Sequence, residues 1–239
     1  MRKDSPYYEQ SIKILQSTFL FNGVREDTLE EILGYVIPIT LPKRSTIDYS
    51  VTKESIFIIL KGRAKLSKIN PQNGREYIIS LLSEGDIFDI ISFLDKKEHE
   101  INIESVDKIQ LLKAPMDVAH SWLNKNPQFN KNFLPYIGKR MQSLEDAGAD
   151  LALYDTITRL AKLILNNIDY NHTAKEDEQF SLKLINDLSH EAIAQMIGSV
   201  RKVVNLHIQE LKKEDIITSI RGNLSVKNLQ KLIEKYGDI

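Results

Sequence analysis

Between Ser189 and Leu211 the chain reads SHEAIAQMIGSVRKVVNLHIQEL, the pattern of a helix, a tight turn and a second helix. Ser189 is a good N-cap, and Glu191 places its charge in the first turn, where the helix dipole favours it. Ile193, Ala194 and Ile197 give the first helix a short apolar face, and Gly198 can turn the chain at little steric cost. The second helix carries Val200, Val203, Val204, Ile208 and Leu211 as an inward stripe. Opposite that stripe stand Lys202, Asn205, Leu206 and Gln209, with Arg201 on the flank. These side chains suit base edges and phosphates. The plainer reading of the same stretch is a helical hairpin in some other all-α domain.

Composition excludes several classes. The 239 residues hold two modest domains, and 42% hydrophobic with 27% charged content is ordinary for a globular chain. No run approaches the roughly 18–20 apolar residues of a membrane span, and the polar start MRKDSPYYEQ has no apolar segment behind it. Absence of cysteine removes disulfides, thiolate zinc sites and cysteine-ligated clusters. A cytoplasmic chain without a membrane partner is expected. The formal net charge is −1, yet between Gly198 and Lys227 six cations (Arg201, Lys202, Lys212, Lys213, Arg221, Lys227) face three anions (Glu210, Glu214, Asp215). A local basic patch of this kind holds phosphates with salt-sensitive affinity.

Residues 1–17 read as a lead-in, helical around Ser11–Gln16, and Glu26–Gly34 reads as a short acidic helix with Leu29, Ile32 and Leu33 inward. From Ile37 the texture becomes short apolar segments between turn residues, the signature of an antiparallel sandwich or small barrel. Ile56–Leu60, Lys61-Gly62-Arg63 and Ala64–Ile69 read as one hairpin, with Pro71–Gly74 as the next turn. No sustained helical period runs through residues 18–113. A roll of this kind can house a metal enzyme, but His99 is the one histidine of residues 18–113, set in the charged run DKKEHE. No metal site is expected from so few ligands.

After Ala114-Pro115 the pattern turns helical. A long helix is expected over residues 127–154, with Phe133, Ile137, Met141, Leu144, Ala147 and Leu151 near a 3.5-residue repeat. Such a seam fits a homodimer, or else an intramolecular packing helix. Pro135 predicts a kink or a late start, and Gly148 a close approach or a weak point. Asp155 caps a further helix over Thr156–Ile168, and Asp169–Gln179 reads as a loop. Phe180–Leu184 reads as a short strand. Beyond the helix pair, Ile216–Ile220 and Leu224–Val226 flank the turn Arg221-Gly222-Asn223 as a two-stranded wing, and Lys227–Tyr236 closes as a helix. A helix pair followed by such a wing is a winged helix, with Arg221 at its tip within reach of a phosphate. The parts agree with one another and point to double-stranded DNA.

This order of parts resembles the CRP/FNR superfamily of bacterial transcription regulators. The resemblance is carried by Glu84-Gly85-Asp86-Ile87-Phe88, Asn126-Pro127, Asp155-Thr156-Ile157-Thr158-Arg159-Leu160-Ala161 and the Ser189–Leu211 helices. It implies an α+β chain: an N-terminal antiparallel β-roll of the cyclic-nucleotide-binding kind over 18–126, a dimerisation helix over 127–154 and a winged helix–turn–helix over 155–239. It implies no enzyme, and RNA polymerase as a further partner if the chain activates.

The departures from that family matter. Its cyclic-AMP-binding members hold the ribose with a Gly-Glu pair and the phosphate with an Arg-Ser pair. Ungapped counting puts Asp89-Ile90 and Glu100-Ile101 there, and Leu144-Glu145 where the adenine is touched. An effector pocket at these six residues would set Glu100 against a phosphate, so cyclic AMP and cyclic GMP are not expected ligands. Iron–sulfur members need cysteines; a haem gripped by His99, His120 or Met116 stays open. In the second helix many members carry glutamate and arginine where this chain has Lys202 and Leu206, which implies a different operator. Arg201 matches a DNA-contacting arginine of the family. Arg201, Lys202 and Asn205 are expected to read bases, Asn205 by pairing with adenine, and Leu206 to touch a thymine methyl. Ser189, His190 and Arg221 are expected to hold the backbone, with Ser199 and Gln209 completing the set. Two alternatives stand beside this: a regulator controlled by abundance or modification, and a ligand-sensing roll acting on a protein partner.

Overall fold

The computed structural model describes residue 1 and residues 3–173, 179–220 and 222–237. Two compact units emerge, Met1–Arg75 with Ile79–Ser143, and Glu76–Ile78 with Leu144–Ile239. The first opens with helices α1 (Tyr8–Ser17) and α2 (Glu26–Tyr35), then strands β1 (Ile37–Leu41) and β2 (Thr46–Ile47) and helix α3 (Tyr49–Glu54). Strands β3 (Ser55–Lys61), β4 (Ala64–Ile69) and β5 (Glu76–Leu82) follow, then helix α4 (Ile90–Asp95). Strands β6 (Asn102–Ser105) and β7 (Ile109–Pro115) and helices α5 (Met116–Lys125) and α6 (Pro127–Leu153) complete the series. The strands form two sheets, ordered β1-β7-β3 and β2-β6-β4-β5.

Strand β3 shows why its sequence is apolar at almost every position. Ile56, Ile58 and Leu60 face a core built with α1, α2, α5 and the start of α6. Phe57 and Ile59, one residue out of phase, face a second core with Ile101, Ile103, Ile109 and Leu111. A strand covered on both faces needs no polar alternation.

The helix expected in the lead-in is α1, and its Tyr8, Ile12 and Leu15 are buried in the first core. Several expectations require correction. The expected hairpin of β3 and β4 is not a ladder, because the two strands lie in different sheets. Gly62 makes the corner at φ +90°, where an added Cβ would lie 2.7 Å from the Lys108 carbonyl oxygen. Short helices α3 and α4 escape a periodicity search because six residues span under two turns; each is started by an aspartate cap, Asp48 or Asp89. Helix α6 begins at Pro127 and continues through Pro135, so there is no late start. Phe133 is not on the outer seam: it is 1% exposed. It stacks on Phe129 at 5.8 Å and meets Phe93 edge-on at 5.3 Å.

In the second unit α7 (Thr156–Leu165) is capped by Asp155, whose Oδ1 accepts from the Thr158 N–H at 2.9 Å. Strands β8 (Ile168–Thr173) and β9 (Phe180–Leu182) precede helices α8 (His190–Met196) and α9 (Arg201–Lys213). Strands β10 (Ile217–Ile220) and β11 (Asn223–Val226) and helix α10 (Leu229–Tyr236) close the chain. The sheet order is β10-β11-β9-β8. The expected loop from Asp169 therefore starts instead as β8, whose pairing with β9 extends the wing. Among the described residues no helix is long and apolar enough to cross a membrane.

The placement of Phe133 has a direct consequence. Phe133→Ala should cost roughly 3–5 kcal/mol in urea unfolding, as for other buried aromatics, and leave the oligomeric state unchanged; a change in assembly without lost stability would return Phe133 to the seam.

Candidate nucleic-acid interface and effector region

Ser189 accepts a hydrogen bond from the Ala192 N–H at 3.1 Å and so starts α8. Ile193, Ala194 and Ile197 are buried, and the chain turns at Gly198 with φ +65°. The Ser199 N–H closes the turn on the Ala194 carbonyl at 2.8 Å. A Cβ on Gly198 would meet Leu151 Cδ2 at 2.6 Å, so the end of α6 is seated on this turn. Asp150 pairs with Lys162 at 2.5 Å, and the Arg159 guanidinium donates to the Leu151 carbonyl at 3.2 Å, which ties the same end of α6 to α7.

In α9, Val204, Ile208 and Leu211 are buried while Arg201, Lys202, Leu206 and Gln209 are exposed. Val200, expected in the inward stripe, is instead the extended residue before the helix and is exposed. Asn205 is half-buried on the flank and is hydrogen-bonded to His190. Ser199 is half-buried in the turn. Arg201 and Lys202 have no ion pair among the described residues, whereas Lys227 of the basic stretch is held by Asp215 at 2.6 Å. Arg221 lies outside the described residues; its neighbour Gly222 has φ +90°. The outer face of α9 is thus cationic, polar and, at Leu206, apolar, without internal partners for its charges.

Helix α6 presents a second surface. Leu134 and Met141 are each 65% exposed, and Leu144 and Leu151 are exposed as well. With half-buried Ile137 and with Gly148 they fall at 134, 137, 141, 144, 148 and 151, alternating steps of three and four. Leu134 takes the place that the sequence reading assigned to Phe133, and Gly148 stands beside half-buried Ala147.

The proposed effector residues separate. Asp89, buried with φ +47°, accepts from Thr52 Oγ1 (2.7 Å), Ser92 Oγ (2.6 Å) and the Ser92 N–H (3.2 Å), and is bonded to His99 Nδ1 (2.8 Å). Its carboxylate is satisfied by the protein itself. Ile90 is half-buried beside it. Glu100 and Ile101 line an open cleft of about 530 Å3 with Asp48, Tyr49 and Lys68. Charge repulsion from Glu100, with burial next, raises the Tyr49 phenol above its ordinary value. Leu144 and Glu145 are exposed on α6 in the second unit. Of the haem candidates, His99 is bonded to Asp89, His120 Nε2 to the Phe93 carbonyl at 2.6 Å, and Met116 is buried. Among the described residues no three His, Cys, Asp or Glu side chains gather as a metal site.

One constellation was missed by sequence reasoning. Asp86 of the Gly-Asp motif forms an ion pair with Arg140 and accepts from the Tyr136 hydroxyl at 3.1 Å. Burial pushes the Tyr136 phenol up to about 12, with the Asp86 charge adding to it, so the hydroxyl stays a donor. The Ile87 N–H in turn donates to that oxygen at 3.3 Å. The motif therefore anchors the first half of α6. The i, i+4 pair Tyr136 and Arg140 was the available signal, readable only with Asp86 in view.

Known proteins carry the same parts. Residues 42–126 match the cyclic nucleotide-binding domain family and residues 158–235 the Crp-like helix-turn-helix domain. The chain is 24% identical to a CRP-like cAMP-activated global transcriptional regulator of Mycobacterium tuberculosis, over 81% of this chain and 85% of that protein. It is 28% identical to a global nitrogen regulator of Nostoc, over 72% and 77%. Its fold is that of a CooA mutant from Carboxydothermus hydrogenoformans, with a TM-score of 0.73 at 20% identity, covering 86% and 90% of the two chains. A cyclic-nucleotide-binding-like domain, a long helix and a DNA-binding helix–turn–helix domain define a transcription regulator. The chain belongs to the CRP/FNR superfamily.

The Asp89 network can be tested alone. Asp89→Ala removes the acceptor shared by Thr52, Ser92 and His99, leaving Thr52 only the Tyr49 carbonyl, and should lower unfolding free energy by roughly 1–3 kcal/mol. Unchanged urea denaturation would show that the network contributes nothing.

Proposed function

We propose that this chain is a sequence-specific DNA-binding regulator acting as a homodimer on a pseudo-palindromic site. The observation that carries the reading is the two-sidedness of α9. Val204, Ile208 and Leu211 fix it to its own unit, and Arg201, Lys202, Leu206 and Gln209 are left unpartnered on the other face. In the major groove, Arg201 and Lys202 suit guanine or phosphate, Gln209 suits adenine, and Leu206 suits a thymine methyl. The unpaired α6 stripe supports a second copy of the chain, which would set two such helices about 34 Å apart. Leu151 belongs to that stripe and also rests on Gly198, so rearrangement of the seam bears directly on the helix–turn–helix.

The effector, in this reading, is a small molecule other than cyclic AMP or GMP. Support comes from Asp89, whose carboxylate is already satisfied by the protein, and from the Glu100 carboxylate where the family resemblance places an arginine. A bound phosphate diester at Glu100 would meet like charge. The chain's own chemistry is binding and not catalysis. Contact with RNA polymerase follows only if it activates; occupancy alone suffices to repress.

One experiment addresses these points together. Full-length protein is titrated against an operator selected from a random duplex pool, with and without cyclic AMP. Lys202→Ala should weaken the selected site roughly tenfold, leave non-specific duplex nearly unchanged, and show no response to the nucleotide. Equal loss on all sequences would make Lys202 a phosphate contact. A cyclic-AMP-dependent gain in affinity would overturn the effector reading.

A further inference from the structure

His190 opens α8, and Asn205 lies in the second turn of α9; both side chains are half-buried. His190 Nδ1 is hydrogen-bonded to Asn205 Oδ1. An amide oxygen only accepts, so Nδ1 carries the proton of this bond. The Asn205 side chain makes no other hydrogen bond among the described residues, and both Nδ2 hydrogens remain for an external acceptor. At roughly 100° per residue, Asn205 shares an arc of α9 with Arg201, Gln209 and Lys202 that runs from the flank of the buried stripe outward.

Recognition of adenine by asparagine needs both ends of the amide: the oxygen accepts from N6 while the nitrogen donates to N7. Here the accepting end is turned towards His190, which engages one of its two lone pairs. We infer that His190 is a positioning residue that fixes the Asn205 amide with its nitrogen outward. Asn205 then prefers an edge with no facing donor, guanine O6/N7 or thymine O4, to adenine, whose N7 acceptor sits beside the N6 donor. This rests on the DNA-reading function proposed above and deepens it by assigning the base class that one side chain selects. It also gives His190 a role other than the backbone contact expected from sequence.

The test is parallel selection of full-length wild type, Asn205→Ala, Asn205→Asp, His190→Ala and His190→Asn on a randomised duplex pool. Wild type should enrich guanine or thymine at the position whose preference disappears in Asn205→Ala. Asn205→Asp keeps an oxygen for His190 but offers only acceptors outward, so that position should switch to a donor base, cytosine or adenine. His190→Ala frees the amide to turn over and should admit adenine there roughly tenfold better than wild type. His190→Asn, which returns a donor near the Nδ1 position, should restore the original choice. Adenine at that position in wild type, or an Asn205→Asp preference identical to wild type, would overturn the inference and leave DNA reading intact; so would a His190→Ala loss that is equal on every sequence. No enriched site for any of the five proteins would overturn the DNA-reading function itself.

Discussion

Two apolar stretches of α6 set the terms for the rest of the molecule. On one side, Phe129, Phe133 and Tyr136 complete the aromatic core of the first unit, and the Asp86–Arg140 pair locks the same stretch. Elsewhere on the helix Leu134, Met141, Leu144 and Leu151 are exposed, with Leu151 also resting on Gly198. Side chains of this size gain about 1.5–3 kcal/mol each when fully buried. These side chains repeat along α6 at coiled-coil spacing. The far end of the stripe, at Leu151, is packed on the turn between α8 and α9.

Most of the architecture was legible because local signals agreed. Caps at Asp155 and Ser189, the turn glycine at 198 and the wing glycine at 222 mark the DNA-binding unit, and the structure finds helices and strands where they point. Failures came where tertiary contacts override local pattern. Phe133 and Leu134 both fit a repeat near 3.5 residues, and only the ring stack on Phe129 and Phe93 decides which of them faces inward. Strands β3 and β4 look like a hairpin because the connecting turn is short; the corner at Gly62 depends on close approach to Lys108, far away in sequence. Strand β8 is polar enough to read as loop, and its pairing with β9 is what makes it a strand.

The candidate sites were legible to different degrees for the same reason. Outward residues of α9 follow from helical geometry alone, so Arg201, Lys202, Leu206 and Gln209 could be placed from sequence. His190 and Asn205 could not be joined, because nothing in their spacing of fifteen shows that the two helices bring them together. In the roll, counting along the chain located Asp89 and Glu100 but not their environments. Asp89 is a buried helix cap in a left-handed conformation, while Glu100 borders open solvent. Two carboxylates that look alike in sequence therefore do different work, one structural and one facing the cleft.

The exposed residues of α6 can be tested as a seam between two chains. Sedimentation equilibrium of the full chain at micromolar concentration, beside a Met141→Glu/Leu144→Glu variant, tests it most directly. The wild type should sediment at twice the chain mass of 27.5 kDa, and the variant at that mass with an unchanged circular dichroism spectrum. A monomeric wild type, or a variant that still pairs, would contradict it.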